Sequence, residues 1–253
     1  MGGRLLHVFD MDGTLLRDTS ASLEIAARLG CLDELRFLEA EFAAGVIDTR
    51  GFAAALYGLW RGLTPAVVAE AFDGAPWIGG LADVLADIRG RGDRAVVVTM
   101  SPDFFAGRLR DLGVDDVVAS GFPPPPFRSA PDPARILVPE DKVTAVDRLR
   151  AALGLDRDSC VAYGDSGSDV PLFSALRHTV AVNAGPGLRA LAAAGYDGDD
   201  LRAAYALGRK LRARARRHGR AVLPGPDHQV TGRPPKVTAS APSDANAQPS
   251  APA

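Results

Sequence analysis

Cysteine is scarce in this chain of 253 residues: only Cys31 and Cys160 occur, far apart and in no metal-ligand spacing. They support neither a disulfide framework nor a cysteine-built zinc site, so a reducing, cytoplasmic setting is expected. Surplus charge is lacking too. The formal net charge of −2 argues against a generally basic, nucleic-acid-binding surface. Long apolar runs are missing, because Arg, Asp or Glu interrupts every candidate, and no membrane-spanning helix is expected. The start Met1-Gly2-Gly3-Arg4 runs into the first apolar stretch without a leader of its own, so no signal peptide is expected. Lysine is the rarest charged residue, with Lys142, Lys210 and Lys236 the full complement. What is present, 47% hydrophobic and 24% charged residues, suffices for a proper core in one α/β domain, with or without a smaller insertion.

The stretch around which the chain is organised is Leu5-Leu6-His7-Val8-Phe9-Asp10-Met11-Asp12-Gly13-Thr14. An apolar run of strand length ends in two carboxylates one residue apart, followed by a glycine. In an open α/β sheet, ligands bind outside the carboxyl ends of the strands, where these acids would stand. Burying both without compensation would cost several kcal/mol, on the order of 5, so they need a cation, a proton or water. Mg²⁺ would give Asp10 a partner, and Gly13 lets the backbone turn away. Taken alone, the motif is equally an Asp-Gly turn with both acids solvated.

Residues 19–64 switch to helical periodicity, punctuated by Gly30, Gly45 and Gly62. Inserted right after the acidic strand, such helices form a lid over the crevice, or else an ordinary helical layer of the core. A second apolar strand, Ala95 to Val98, closes in Thr99-Met100-Ser101-Pro102. A hydroxyl there can bond a phosphoryl oxygen without adding charge, so Thr99 is assigned the ligand role and Ser101 the N-cap of the next helix. Pro123 to Pro126 mark a rigid surface loop. Lys142 opens a helix, the end at which the macrodipole disfavours a cation, which hints at an anionic neighbour. A third loaded strand, residues 159–164, runs into Asp165-Ser166-Gly167-Ser168-Asp169. Parallel strands would bring this acid group and the first one to a single rim. A last short strand over 179–182 precedes a helix over 188–194.

Beyond Leu201, residues 202–220 carry a run of basic side chains with no acid and no clear apolar stripe. This reads as a terminal helix with a solvated basic face that offers a contact to an acidic partner, with no strong case for nucleic acid or membrane. Its removal is expected to leave turnover intact. Residues 223–253, rich in Pro, Ser and Ala, read as a disordered tail.

In order, Asp10-Met11-Asp12-Gly13-Thr14, Thr99, Lys142 and Gly164-Asp165 with Asp169 resemble the motifs of the haloacid dehalogenase superfamily. The match spans roughly residues 5–200 and looks most like the phosphoserine-phosphatase-like group. The resemblance implies a doubly wound parallel sheet, Rossmann-like, with a small helical cap inserted after the first strand. The core would take residues 1–17 and 79–200, the cap 18–78, and the basic helix 201–222. It implies a Mg²⁺-dependent phosphomonoester hydrolase acting on a small phosphorylated metabolite. Asp10 would be the nucleophile that forms an aspartyl-phosphate, and Asp12 the general acid and base. Lys142, Thr99, Met100 and Gly13 would hold the phosphoryl group. The metal would lie on Asp10, the Asp12 carbonyl and Asp165, with Asp169 in support. A second acid at Asp12 sets the chain apart from the dehalogenases. Phosphoserine phosphatases carry a glutamate where Thr19 stands and a lid arginine at or near Leu56, so both charge partners for an amino-acid zwitterion are missing. Asp18, Arg17, Arg50 and Arg61 are the candidates to replace them. Phosphoserine phosphatase proper is the alternative reading, as is a phosphotransferase or mutase using the same site.

Overall fold

In the computed structural model, which describes residues 4–221, the first element is strand β1 (Leu6–Phe9), buried along its whole length. Leu6 and Val8 point to one face of the sheet, Phe9 to the other, so both faces must be covered. The chain then makes four helices, α1 (Ala21–Leu29), α2 (Leu32–Ala43), α3 (Thr49–Leu59) and α4 (Pro65–Asp73). Their ends follow local chemistry. Ser20, Asp48 and Thr64 each accept a backbone N–H bond as N-caps, Pro65 sits in the first turn of α4, and Gly30 closes α1 at φ 72°. The outgoing and returning chains pair at the base of this excursion, through Arg17 N to Pro76 O at 3.0 Å and Ile78 N to Leu15 O at 2.8 Å.

The remainder alternates strand and helix: α5 (Leu81–Gly90), β2 (Arg94–Pro102), α6 (Asp103–Ala106), β3 (Asp116–Ser120), α7 (Asp141–Ala152), β4 (Cys160–Gly164), α8 (Val170–Ala175), β5 (Thr179–Val182), α9 (Pro186–Leu191), β6 (Ala194–Tyr196) and α10 (Leu201–Ala221). All strand pairs are parallel and the order is β3-β2-β1-β4-β5-β6. The order reverses between β1 and β4, the place where an open sheet leaves a crevice. One face packs Val146, Leu172 and Phe173 of α7 and α8, and the other packs α5, α10 and helices α1–α4.

Three expectations need correction. The helix expected over 188–194 ends at Leu191, and Ala194–Tyr196 pairs with β5 as an edge strand; three small or mixed residues leave no periodic signal. Ser101 caps nothing, since β2 runs on to Pro102 and no side chain caps α6. Helix α10 is not a solvated appendage. Leu201, Ala204 and Tyr205 are buried in the core on β4–β6, and Tyr205 Oη donates to Asp87 on α5 at 2.8 Å. Gly208 allows this approach, because any Cβ there would run into Tyr163 and Val161 of β4. The stripe of Leu201, Ala204, Tyr205 and Gly208 is spaced among arginines, which hides it in the sequence. The tail expected over 223–253 lies outside the described residues.

Candidate active site

Asp10 follows directly on β1, its N–H held by the Tyr163 carbonyl of neighbouring β4 at 2.9 Å, and its side chain is buried. Lys142, at the start of α7, reaches the same point from beneath the sheet's C-terminal edge. Its Nζ donates to Asp10 Oδ1 at 2.7 Å, Asp169 Oδ1 at 2.7 Å and Ser168 Oγ at 3.1 Å, and the side chain is 1% exposed. The anionic neighbour suggested by its position in the helix is thus a pair of acids. Asp165 and Asp169 descend from the turn after β4, and one oxygen each from Asp10, Asp165 and Asp169 lie within 4.8 Å of one another. Asp169, expected as a support, contributes directly to this cluster while its Oδ2 accepts the N–H groups of Asp165 and Ser166 at 3.1 and 3.3 Å. Thr14 Oγ1 donates to Asp165 Oδ1 at 3.4 Å.

Gly13, with φ 73°, faces Asp165 so closely that a Cβ would overlap its carboxylate. Only glycine satisfies both the left-handed turn and the approach. The Asp12 side chain points away from the acid cluster: Oδ1 accepts from the Ala21 N–H at 2.8 Å and Oδ2 from Ser101 Oγ at 2.5 Å. Thr99, buried at the same edge, accepts the Ser101 N–H at 3.1 Å. Asp10, Asp12, Thr99, Met100, Ser166 and Ser168 border one cleft of about 470 Å³, together with Phe42 of α2. Of the expected residues, Asp10, Asp12, Thr99 and Met100 share this cleft, while Lys142, Asp165 and Asp169 gather at Asp10 and Gly13 faces Asp165. Ser101, Ser168 and Thr14 were missed; Thr14 lies within the first motif and Ser168 within the glycine-serine turn, while Ser101 looks locally like an ideal cap.

The electrostatics are strained toward negative charge. Burial pushes Asp10 above the ordinary carboxylate range while Lys142 opposes it, and burial likewise raises Asp12 against the hydrogen bonds from Ser101 and Ala21. Burial, with Asp10 and Asp169 adjacent, pushes Asp165 up to about 8. Asp169 is raised to about 6 by burial and Asp10, less what Lys142 returns. For Lys142, burial works against the charge, and Asp10 and Asp169 outweigh it, so the ammonium is held charged. One lysine faces three acids. The uncompensated remainder, the all-oxygen donor set and the close Gly13 turn fit a hard divalent cation.

Of the lid groups weighed from the sequence, Leu56 is buried in the wall of the cavity beside Asp12, and Thr19 turns aside to donate to Glu24 at 2.8 Å. Arg17 pairs with Asp18 at 3.6 Å and Asp199 at 3.8 Å in a separate cleft. Exposed Arg50 donates to the Pro133 carbonyl at 3.1 Å, and Arg61 is exposed. Thr19, Arg17, Asp18, Arg50 and Arg61 do not border the cavity that Leu56 lines.

Known proteins bear on this arrangement. A phosphoserine phosphatase of Halobacterium salinarum is 28% identical over 188 residues, covering 73% of this chain and 89% of the relative. A probable phosphatase of Mycobacterium tuberculosis is 31% identical over 128 residues, covering 50% of this chain and 41% of that protein. A substrate-bound phosphoserine phosphatase superposes with a TM-score of 0.68 at 21% identity, covering 80% of this chain and 97% of that one. A phospho-aspartyl intermediate analogue of phosphoserine phosphatase superposes with a TM-score of 0.67 at 21% identity, over 79% and 97% of the two chains. The last two establish the fold. The sequence pattern of the haloacid dehalogenase-like hydrolases matches residues 7–174, from the strand that carries Asp10 to the helix after Asp169. With both acid groups and the lysine between them inside that span, the chain belongs to the haloacid dehalogenase-like hydrolases and is an enzyme of that family.

Proposed function

We propose that the protein hydrolyses a small phosphomonoester, with Asp10 as the nucleophile and Asp12 as the proton donor and acceptor. The observation that carries this reading is the division of labour between two acids one residue apart. Asp10 lies against Lys142 in the acid cluster, while Asp12 is held away from it by Ser101 and Ala21. An Asp10 oxygen attacks phosphorus and the ester oxygen departs, giving an aspartyl-phosphate that water then hydrolyses, so that one difficult displacement becomes two. Asp12, whose carboxyl burial raises, donates its proton to the leaving oxygen and recovers one from the attacking water. Lys142, Thr99, the Met100 backbone and the Gly13 turn are assigned to the phosphoryl oxygens, where fixed donors stabilise charge as it redistributes.

We assign a divalent cation, Mg²⁺ by its preference for oxygen ligands, to Asp10, the Asp12 carbonyl and Asp165, with Asp169 in support. When bound it supplies the positive charge that lets an anionic nucleophile meet an anionic phosphate. The phosphoserine phosphatase relative supports a small-molecule substrate. The helices over 18–78 are assigned as the cap, and the free thiols of Cys31 and Cys160 accord with a cytoplasmic setting.

Phosphate release from an aryl phosphate, with Mg²⁺ or a chelator and with Asp10→Asn, tests the reading. Turnover dependent on both the metal and Asp10 is expected; turnover that survives Asp10→Asn would overturn it.

A further inference from the structure

Next to Asp12 and Ser101, between the sheet edge and helices α1–α3, lies a cavity of about 180 Å³. In the phosphatase reading this is where the leaving alcohol stands, since Asp12 delivers the proton there. Its walls are apolar, built from Phe42, Phe52 and Leu56 of the cap and Met100, Phe122 and Ile136 of the core. Among the described residues no lysine or arginine borders it, and Ser20, Ser22 and Thr49 supply only hydroxyls. Its charged groups are Asp12 and Glu39.

These two acids are in different situations. Both Asp12 oxygens have donors, in Ala21 and Ser101. Glu39, half-buried on α2, has no hydrogen-bond or ion-pair partner among the described residues, and its neighbour Arg36 is turned to Asp33 at 3.4 Å. Burial pushes the Glu39 carboxyl up, and the more distant charge of Arg36 offsets this only in part. A leaving group that carried a carboxylate would enter a chamber with two acids and no cation, and would lose its hydration for nothing. An ammonium group would meet a carboxylate that lacks a donor, and an apolar body would fill the remaining walls.

We propose, resting on the phosphatase reading, that the substrate is the phosphate ester of an amino alcohol with an apolar side chain and no carboxylate, its ammonium group received by Glu39. The cavity selects against phosphoserine. Glu39 is the specificity-determining residue, and Leu56 contributes by withholding a positive charge.

The test compares kcat/KM for leucinol phosphate, its deaminated counterpart isohexyl phosphate, and O-phosphoserine, in the full chain with Mg²⁺ and in Glu39→Gln. Leucinol phosphate is expected to exceed each of the others by about tenfold, the scale of one charge-assisted hydrogen bond. In Glu39→Gln the ratio of leucinol to isohexyl phosphate is expected to fall to about twofold or less. Phosphoserine used as well as leucinol phosphate, or a ratio that Glu39→Gln does not change, overturns the assignment. An aryl phosphate run in parallel separates the failures. If it is hydrolysed and the substrate order is wrong, only this assignment fails; if it is not hydrolysed, the phosphatase reading fails and takes the assignment with it.

Discussion

Lys142 Nζ rests 2.7 Å from Asp10 Oδ1 although 132 positions separate the two residues, and both side chains are buried. The pair ties α7 to the tip of β1 and sets the Lys142 charge against the burial that raises Asp10 beside two further acids. Removing one partner of a buried ion pair leaves an uncompensated charge, which typically costs about 3 kcal/mol or more. Lys142→Met is therefore expected to lower the urea-unfolding free energy near neutral pH by about 3 kcal/mol and kcat by about 100-fold or more. Urea titration in chelator and steady-state kinetics in Mg²⁺ check the two effects, and a loss of stability below about 1 kcal/mol would mean the acids are neutral.

Ser101 acts through Asp12. Its hydroxyl donates to the charged form of that carboxylate, so it lowers the Asp12 pKa against the effect of burial. Ser101→Ala should raise that pKa, moving the limb of the pH–rate profile that reports Asp12 to higher pH, and reduce kcat by about tenfold. Ser101→Thr, which keeps the hydroxyl, should restore the profile. A uniform fall in rate with no displaced limb would point to packing instead.

Gly13→Ala combines two penalties, a left-handed φ of 73° and a methyl aimed at the Asp165 carboxylate. The backbone alone costs about 1 kcal/mol. Displacement of Asp165 should appear as a weakened apparent affinity for Mg²⁺, by about tenfold, in titrations of activity and of thermal stabilisation against metal concentration. An unchanged metal requirement would exclude Asp165 from the metal site.

His7 contributes to the pH dependence of folding. The ring is fully buried, with Nδ1 3.1 Å from Tyr163 Oη and Nε2 3.9 Å from Asp93 Oδ2, beyond hydrogen-bond length. Burial lowers its pKa below 6.5, and Asp93 only partly offsets this. A folded value below the unfolded one means the unfolded chain binds the proton first. Stability is then complete above the unfolded pKa of about 6.5 and is lost as pH falls through the lowered folded value. Asp165 and Asp169, with carboxyls raised to about 8 and about 6, act in the opposite sense, so the check is a difference: between about pH 8 and pH 5 the urea midpoint of the natural protein should lose ground to that of His7→Phe.

How much of this could be read in the sequence depends on the range of the interaction. Asp10, Asp165 and Asp169 announced themselves because each acid follows an apolar strand locally, and the parallel order of β1 and β4 then places them on one rim. Lys142 left a local trace, a cation at the wrong end of a helix, whose cause lies in a distant acid. Ser101 misled because Ser-Pro before a helix satisfies a local rule, whereas its partner is 89 positions away. Glu39 left no trace at all. Its meaning comes from which face of α2 overhangs Asp12, and that is set by tertiary packing.

Helix α10 gives the last prediction, contrary to its sequence appearance as a removable basic arm. Leu201 and Tyr205 are buried in the core, and burial of each such side chain is worth about 2 kcal/mol. Tyr205 also bonds Asp87, and Gly208 seats the helix directly on β4. Losing these contacts while baring the sheet face they cover removes about 5 kcal/mol or more, comparable to the whole stability of an ordinary domain. A chain ending at Asp200 should therefore show no cooperative thermal transition and no turnover, whereas one ending at Ala221 should keep both. If the shorter chain still hydrolyses an aryl phosphate, the core closes without α10 and the basic helix is an attachment after all.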